Sequence, residues 1–385
     1  MPMPSILRLL PAFAMLGLAA CQSTPIKPMS GHEDTRHLNA EETRLWHSAV
    51  ELDGRMEKAD YLYEDDELQA YLESVMQKLY PEYGDTIGVR AVDSPSLNAF
   101  ALPNGSIYIN TGMLTRLDNE AQLATVLAHE GVHFTHKHSW QQRRNMKTST
   151  AFSTGFGMVT GIPALGDLIA LSSIYGFSKD LEREADAEGF QRLAAAGYDV
   201  RQAPVTFEYL LAEVEALDID EPYFFSTHPA LEDRIESFEE LVRQHAATNG
   251  YRGEQEYRMQ VEELQLELLQ DYLELGQYQS VLLILGRPDA FVRYPLSAWF
   301  YLGEAYRLRD EEGDAARSAG AYTTAIRLVP EFAPSWRAMG LHYMKQGEAS
   351  QADSHFSRYL ELRPDAPDRA YIELYRTNLK TKDAH

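Results

Sequence analysis

His129, Glu130 and His133 stand in the stretch "LAHEGVHFTH", residues 127–136. Two histidines four apart project from one face of a helix. Neutral imidazoles at that spacing can grip one Zn²⁺ at about 2.0–2.1 Å each. Glu130 follows the first histidine directly, close enough to reach a water on the ion without ligating the ion itself. Zinc lowers the pKa of such a water to about 7, and a carboxylate can then take its proton. This is the H-E-x-x-H arrangement of hydrolytic zinc sites. Three fixed letters in five also occur by chance on a solvated helix face, so the pattern alone leaves both readings open.

A catalytic zinc needs a third protein ligand and an open position. The longer H-E-x-x-H-x-x-G-x-x-H pattern would need glycine at 136 and histidine at 139. The chain has His136 and Ser139, which excludes the metzincins. His136 lies seven residues beyond His129, roughly 10 Å along a straight helix, too far to share one ion. His136 and His138 therefore read as surface or second-layer residues. A later helical stretch, "FSKDLEREADAEGFQRLAAAGYD", offers more. Leu181, Ala185, Gly189 and Leu193 form its small, apolar face, and Glu182 and Asp186 fall within that stripe. Glu184 and Glu188 point away. A carboxylate turned toward a core is costly unless something compensates it. A zinc ion and a ligand imidazole would do so. That assigns Glu182 as the third ligand, and Asp186, one turn on, as acceptor of a ligand histidine's remaining N–H. The alternative is a buried carboxylate paired with arginine.

Several elements must position these residues. The pattern from about 41 to 80 is helical, with Leu68, Tyr71, Leu72, Val75, Met76 and Leu79 on one stripe and Pro81 and Gly84 closing it. Ile87, Val89 and Ala91 then alternate as in a strand. "NAFALPNGSIYIN" predicts a β-hairpin turning at Asn104–Gly105. Asp118 or Asn119 can cap the helix that carries the histidines. Residues 151–177 are apolar and glycine-rich, but no run of about 18 residues escapes Pro, Gly or Asp, so a spanning helix is not expected. They read as a buried helix pair, or as a loop that plugs the cleft or touches membrane.

The whole chain of 385 residues is long enough for two or three domains. Its formal charge of −23 argues against nucleic acid as a partner. Cys21 is the sole cysteine. It follows Arg8, a short apolar run and "LAA", a signal-segment pattern (residues 1–20) resembling the bacterial lipobox, in which the cysteine is lipidated. Gln22 rather than aspartate after it favours the outer membrane, and residues 21–40 read as a lipidated tether. A polar stretch at 248–256 suggests a boundary between a domain over 41–247 and one over 255–385. In the second, Trp336, Met339, Gly340, Tyr343, Gly347, Ala352, Phe356 and Pro364 fit the 34-residue tetratricopeptide spacing. One repeat earlier, Trp299, Leu302, Gly303, Tyr306, Ala325 and Pro330 fit it with one insertion, and a weaker unit spans about 268–288. The expected tail is an α-solenoid.

"HEGVH" with "SKDLEREAD" downstream resembles the M48 family of zinc metallopeptidases, whose pattern is HExxH followed by S-R-x-x-E-x-x-A-D. Lys179 stands where that family usually has arginine. The resemblance covers about residues 40–245. It implies a zincin-type (gluzincin) α+β domain, mainly helical with a small sheet or hairpin, holding one zinc per chain with Glu182 as ligand and Asp186 in support. "STHPALEDRI" resembles a further family stretch. It implies that His228 lines the site or caps the metal in a closed form, and that Arg234 anchors the site or binds the substrate carbonyl. The hairpin at 98–109 then gains a role: Asn98, Ala99, Phe100 and Ala101 are the segment expected to pair with an extended substrate. Joined to the repeats, the architecture resembles periplasmic members of the family that act in outer-membrane protein quality control. That implies misassembled outer-membrane proteins as substrates and the β-barrel assembly machinery as a partner of the repeats. The lipobox departs from those soluble members and would anchor this chain to the membrane. The rival reading is a non-proteolytic chaperone or adaptor with a latched or vestigial metal site.

Overall fold

The computed structural model describes residues 28–29, 38–59, 61–147, 177–217, 231–245, 249–287 and 290–382. The signal segment, Cys21, most of the expected tether, residues 151–176 and His228 lie outside them. In chain order the elements are α1 (Ala40–Lys58), α2 (Asp66–Leu79), β1 (Gly88–Val92), β2 (Ala99–Ala101), β3 (Ser106–Asn110), α3 (Thr111–Leu114), α4 (Glu120–Thr135) and α5 (His138–Lys147). They continue with α6 (Lys179–Ala195), α7 (Gln202–Leu217), α8 (Leu231–Gln244), α9 (Glu254–Glu274), α10 (Tyr278–Leu285) and α11 (Ala290–Arg293). The last are α12 (Ala298–Arg309), α13 (Asp314–Leu328), α14 (Ala333–Gln346), α15 (Ala349–Leu362) and α16 (Arg369–Lys382). The chain is mainly helical with one small sheet, as its patterning predicts. Among the described residues, no helix is long and apolar enough to cross a membrane.

The sheet runs β1-β3-β2, with β1 parallel and β2 antiparallel to β3. The hairpin joins β2 to β3 through Gly105, whose φ of +98° suits glycine. Val89, Ala91, Ile107 and Ile109 turn into the main core, which also holds Leu72 and Val75 of α2, Leu123 and Leu127 of α4, and Phe190 and Leu193 of α6. The parallel pairing of β1 with β3 was not legible, because only the antiparallel hairpin has a local turn signature.

Helix α4 is buried along its whole length. A helix covered on all sides lies in the middle of its domain, so the solvated-face reading of the histidine pair fails. Asn119 caps it, its Oδ1 accepting from the Gln122 amide at 3.0 Å. The polar stretch at 248–256 is hydrogen-bonded to the helices before it. The Glu120 and Ala121 amides donate to the Gly253 and Arg252 carbonyls, and Tyr251 bonds with Gly197 and Asp199. Helix α9 continues that connection: its Tyr257, Val261 and Leu264 belong to the main core, while Leu268, Leu269 and Leu273 start the next. Met29, inside the expected tether, is also docked, with its amide donating to the Thr135 carbonyl at 2.8 Å. Beyond α9 come two helical hairpins, α12–α13 and α14–α15, in which Tyr322 packs on Gly303 and Phe356 on Gly340.

Candidate metal centre

Three buried side chains converge between α4 and α6. His129 and His133 sit one turn apart on α4, with their Nε2 atoms 2.9 Å from each other. Glu182, in the first turn of α6, places its carboxylate oxygens 3.5 Å from each of those nitrogens. Ser178 caps α6, and the stripe carrying Leu181, Glu182, Ala185, Asp186, Gly189, Phe190 and Leu193 is the buried face. Glu184 and Glu188 are exposed. Lys179 faces solvent and pairs with Asp233 at 2.7 Å.

Two close approaches set this geometry. A Cβ on Gly189 would lie 3.2–3.3 Å from backbone atoms of Ala128 and His129. Glycine therefore lets α6 press against α4 at the level of the first histidine. On the opposite side Tyr80 lies across Gly131, where a Cβ would fall 2.3 Å from its ring. The Tyr80 hydroxyl donates to the Ala128 carbonyl at 2.5 Å, so the glycine of "HEGVH" is the seat of that ring.

Behind His129, Asp186 places Oδ1 2.9 Å from Nδ1. With the carboxylate accepting a hydrogen bond from Nδ1–H, the Nε2 lone pair is left to face His133 and Glu182. Arg234 of α8 grips the same carboxylate through Nε at 3.1 Å and Nη2 at 2.6 Å. Burial raises the Asp186 pKa, but the Arg234 charge and the bonds from His129 and Arg234 outweigh it and hold the carboxyl below its usual range. The guanidinium lies 4.1 Å over the Phe207 ring, which stacks in turn on Phe238. Arg234 thus stands on the Nδ1 side of His129, where it anchors the ligand shell. Its Nη1 also lies 3.8 Å from Glu182 Oε2. The arginine-paired carboxylate posed as the alternative for this helix is present as well, since Asp186 serves both partners.

His133 has its own support. Its Nδ1 lies 2.9 Å from Nδ1 of His138, which is fully buried. Phe177 stacks on its ring at 3.9 Å and 15°. His136, at the end of α4, is half-buried and touches Thr135 at 3.1 Å. Sequence periodicity missed the His133–His138 contact because it assumed one straight helix. The chain breaks after Thr135, with Lys137 at φ +55°.

Glu130 is buried beside the cluster. Burial, with the Glu182 charge, pushes its carboxyl up to about 8, against the pull of His129, Arg234 and the Ala101 backbone. A cation held by the three donors would draw it down. A carboxyl in that range can accept and return a proton near neutrality.

Strand β2 is the sheet's outer strand, and its Ala101 backbone lies beside Glu130. The Asn98 carbonyl accepts from Asn110, and the Leu102 amide donates to Ser106. Antiparallel alternation then turns the backbone groups of Phe100 to β3 and those of Ala99 and Ala101 to the outer edge.

The donor set fits a divalent metal. Two imidazole nitrogens and a carboxylate oxygen, all within 4.8 Å of one another, form the sole such His/Cys/Asp/Glu group among the described residues. Nitrogen and oxygen donors in a two-His, one-Glu set suit Zn²⁺ with an open position.

Comparison with known proteins agrees with this geometry. Residues 63–242 match the model of Peptidase family M48. The chain is 30% identical over 191 residues to a putative beta-barrel assembly-enhancing protease of Vibrio cholerae, covering 43% of this chain and 39% of that one. It is 31% identical over 243 residues to the mitochondrial metalloendopeptidase OMA1 of Bos taurus, covering 57% and 46%. It is 25% identical over 222 residues to the beta-barrel assembly-enhancing protease of Escherichia coli, covering 49% and 44%. The chain spans less than half the length of each of these relatives.

Proposed function

We propose, from the premise that residues 63–242 form an M48 peptidase domain, that the chain is a zinc-dependent endopeptidase. The observation that carries this is the convergence of the His129 and His133 Nε2 atoms, 2.9 Å apart, on the Glu182 carboxylate. A metal ion bound by those donors supplies Lewis acidity toward a carbonyl and toward water. The chain's own residues do the rest. Backbone groups of Ala99 and Ala101 pair with an extended peptide at the β2 edge, in the segment that begins at Asn98. Glu130 takes the proton of the attacking water as the C–O bond forms. It returns that proton to the amide nitrogen as the C–N bond breaks. Asp186 and Arg234 keep His129 in the ligating tautomer.

The location and substrates belong to the same proposal. Two of the relatives are named for β-barrel assembly, which supports action on misassembled outer-membrane proteins in a bacterial envelope. Cys21 in its lipobox supports lipid anchoring at the periplasmic face of the outer membrane. The helical hairpins after α9 support a tetratricopeptide surface for substrates or for the barrel assembly machinery. Purified Glu130→Gln chain should keep its fold and metal and lose casein cleavage by at least about 100-fold, the low end for a positioned acid–base group. Casein cleavage by that variant at the wild-type rate would remove the mechanism. A Glu130→Gln chain that no longer cleaves yet fully restores cells lacking the protein would make a non-proteolytic adaptor the better reading.

A further inference from the structure

We propose that His138 is a positioning residue for the second ligand histidine, holding the tautomer of His133 as Asp186 holds that of His129. The inference rests on the metal reading of the site. His133 faces His129 Nε2 at 2.9 Å and Glu182 at 3.5 Å through its own Nε2. To ligate there it must present the Nε2 lone pair, so its proton sits on Nδ1. Its Nδ1 meets His138 Nδ1 at 2.9 Å. His138 therefore accepts through Nδ1 and carries its own proton on Nε2, which looks toward Glu184 Oε2 at 3.5 Å. This contact lies on the side of the His133 ring remote from the metal-facing nitrogen, so His138 cannot share the ion.

The backbone is built to deliver this contact. Helix α4 closes at Thr135, where the His136 amide still donates to the Val132 carbonyl at 2.8 Å. Lys137 then takes a left-handed conformation, φ +55°, and is tied to Glu42 at 3.2 Å. Left-handed backbone at a non-glycine residue is uncommon and needs surrounding contacts to hold it. Its effect is to start α5 at His138 and fold that ring back against His133, edge-on at 4.9 Å between centroids and 77° between planes. Phe177 covers a face of the His133 ring. The two ligands are thus steadied differently: His129 by a charged Arg234–Asp186 pair, His133 by a neutral acceptor.

The test is the zinc dissociation constant of the full chain, measured by competition with a chromophoric chelator, for wild type, His138→Leu and His138→Asn. Leucine fills the space without an acceptor, whereas asparagine can place an amide oxygen near the lost Nδ1. His138→Leu should weaken zinc by about 10–100-fold, as outer-sphere partners of ligand histidines do, and His138→Asn should recover most of that loss. The visible bands of the cobalt-substituted protein should shift in the leucine variant and return in the asparagine variant. Equal zinc affinity in wild type and His138→Leu would overturn the proposal. Equal losses in both variants would overturn it too, leaving His138 a packing residue. A wild-type chain that binds no zinc removes the underlying metal reading, and that result is separate from any difference among variants.

Discussion

Asp186→Asn probes how the site is held without changing its shape. In the native chain one carboxylate accepts from His129 Nδ1 at 2.9 Å and from Arg234 at 2.6 and 3.1 Å. An amide offers one acceptor oxygen, so its NH₂ must face a donor. It also leaves the buried Arg234 charge without its counter-ion. Losing the support of a ligand histidine costs about 10–100-fold in metal affinity, or about 1.4–2.7 kcal/mol. Breaking a buried pair costs about 3–5 kcal/mol of stability. We expect the lower end, because Glu182 lies 3.8 Å from Arg234 and can take over part of the pairing. That takeover pulls a metal ligand backward and adds to the loss of affinity. Chelator competition would measure the first quantity, and urea unfolding of the metal-free protein the second. Zinc affinity and urea midpoint both unchanged in Asp186→Asn would refute the clamp.

Two further perturbations follow from the packing. Gly189→Ala puts a methyl 3.2–3.3 Å from the α4 backbone, and backbone cannot move aside as a side chain can. Despite the better helix propensity of alanine, by about 0.8–1 kcal/mol, we expect a lower melting temperature and weaker zinc binding; an increase in both would show that α6 has room. Asp199 tests the stitched boundary: burial opposes its charge, yet bonds from Arg201 and Arg252 hold it down at about 2. Its folded pKa lies below the unfolded value of about 3.9, so its contribution is complete above that pH and fades as pH falls toward 2. Asp199→Asn should therefore lower the urea midpoint at pH 7 and converge on wild type as acid is added; a constant difference from pH 7 to 3 would contradict that linkage.

Local patterns carried much of the site. The stripe on α6 separated Glu182 and Asp186 from Glu184 and Glu188, because a helix repeats every few residues and a buried carboxylate stands out against an apolar face. The cap at Asn119 and the turn at Gly105 were legible for the same local reason. Contacts between distant segments were not. Nothing near Arg234 reveals that it meets Asp186, and nothing near residue 250 shows it stitched to Asp199 and α4. His138 was hidden by the left-handed Lys137, which no periodicity announces. Gly131 and Gly189 looked like ordinary helix glycines until Tyr80 and α4 were seen to need their space.

The most direct test of the central claim is metal content by elemental analysis, on wild type and on Glu182→Ala, each paired with a casein cleavage assay. The account predicts one zinc per wild-type chain, loss of that zinc in Glu182→Ala, and cleavage by wild type alone. Wild type prepared without chelators that carries no zinc, or Glu182→Ala that keeps it, would contradict the assignment of His129, His133 and Glu182 as one metal site.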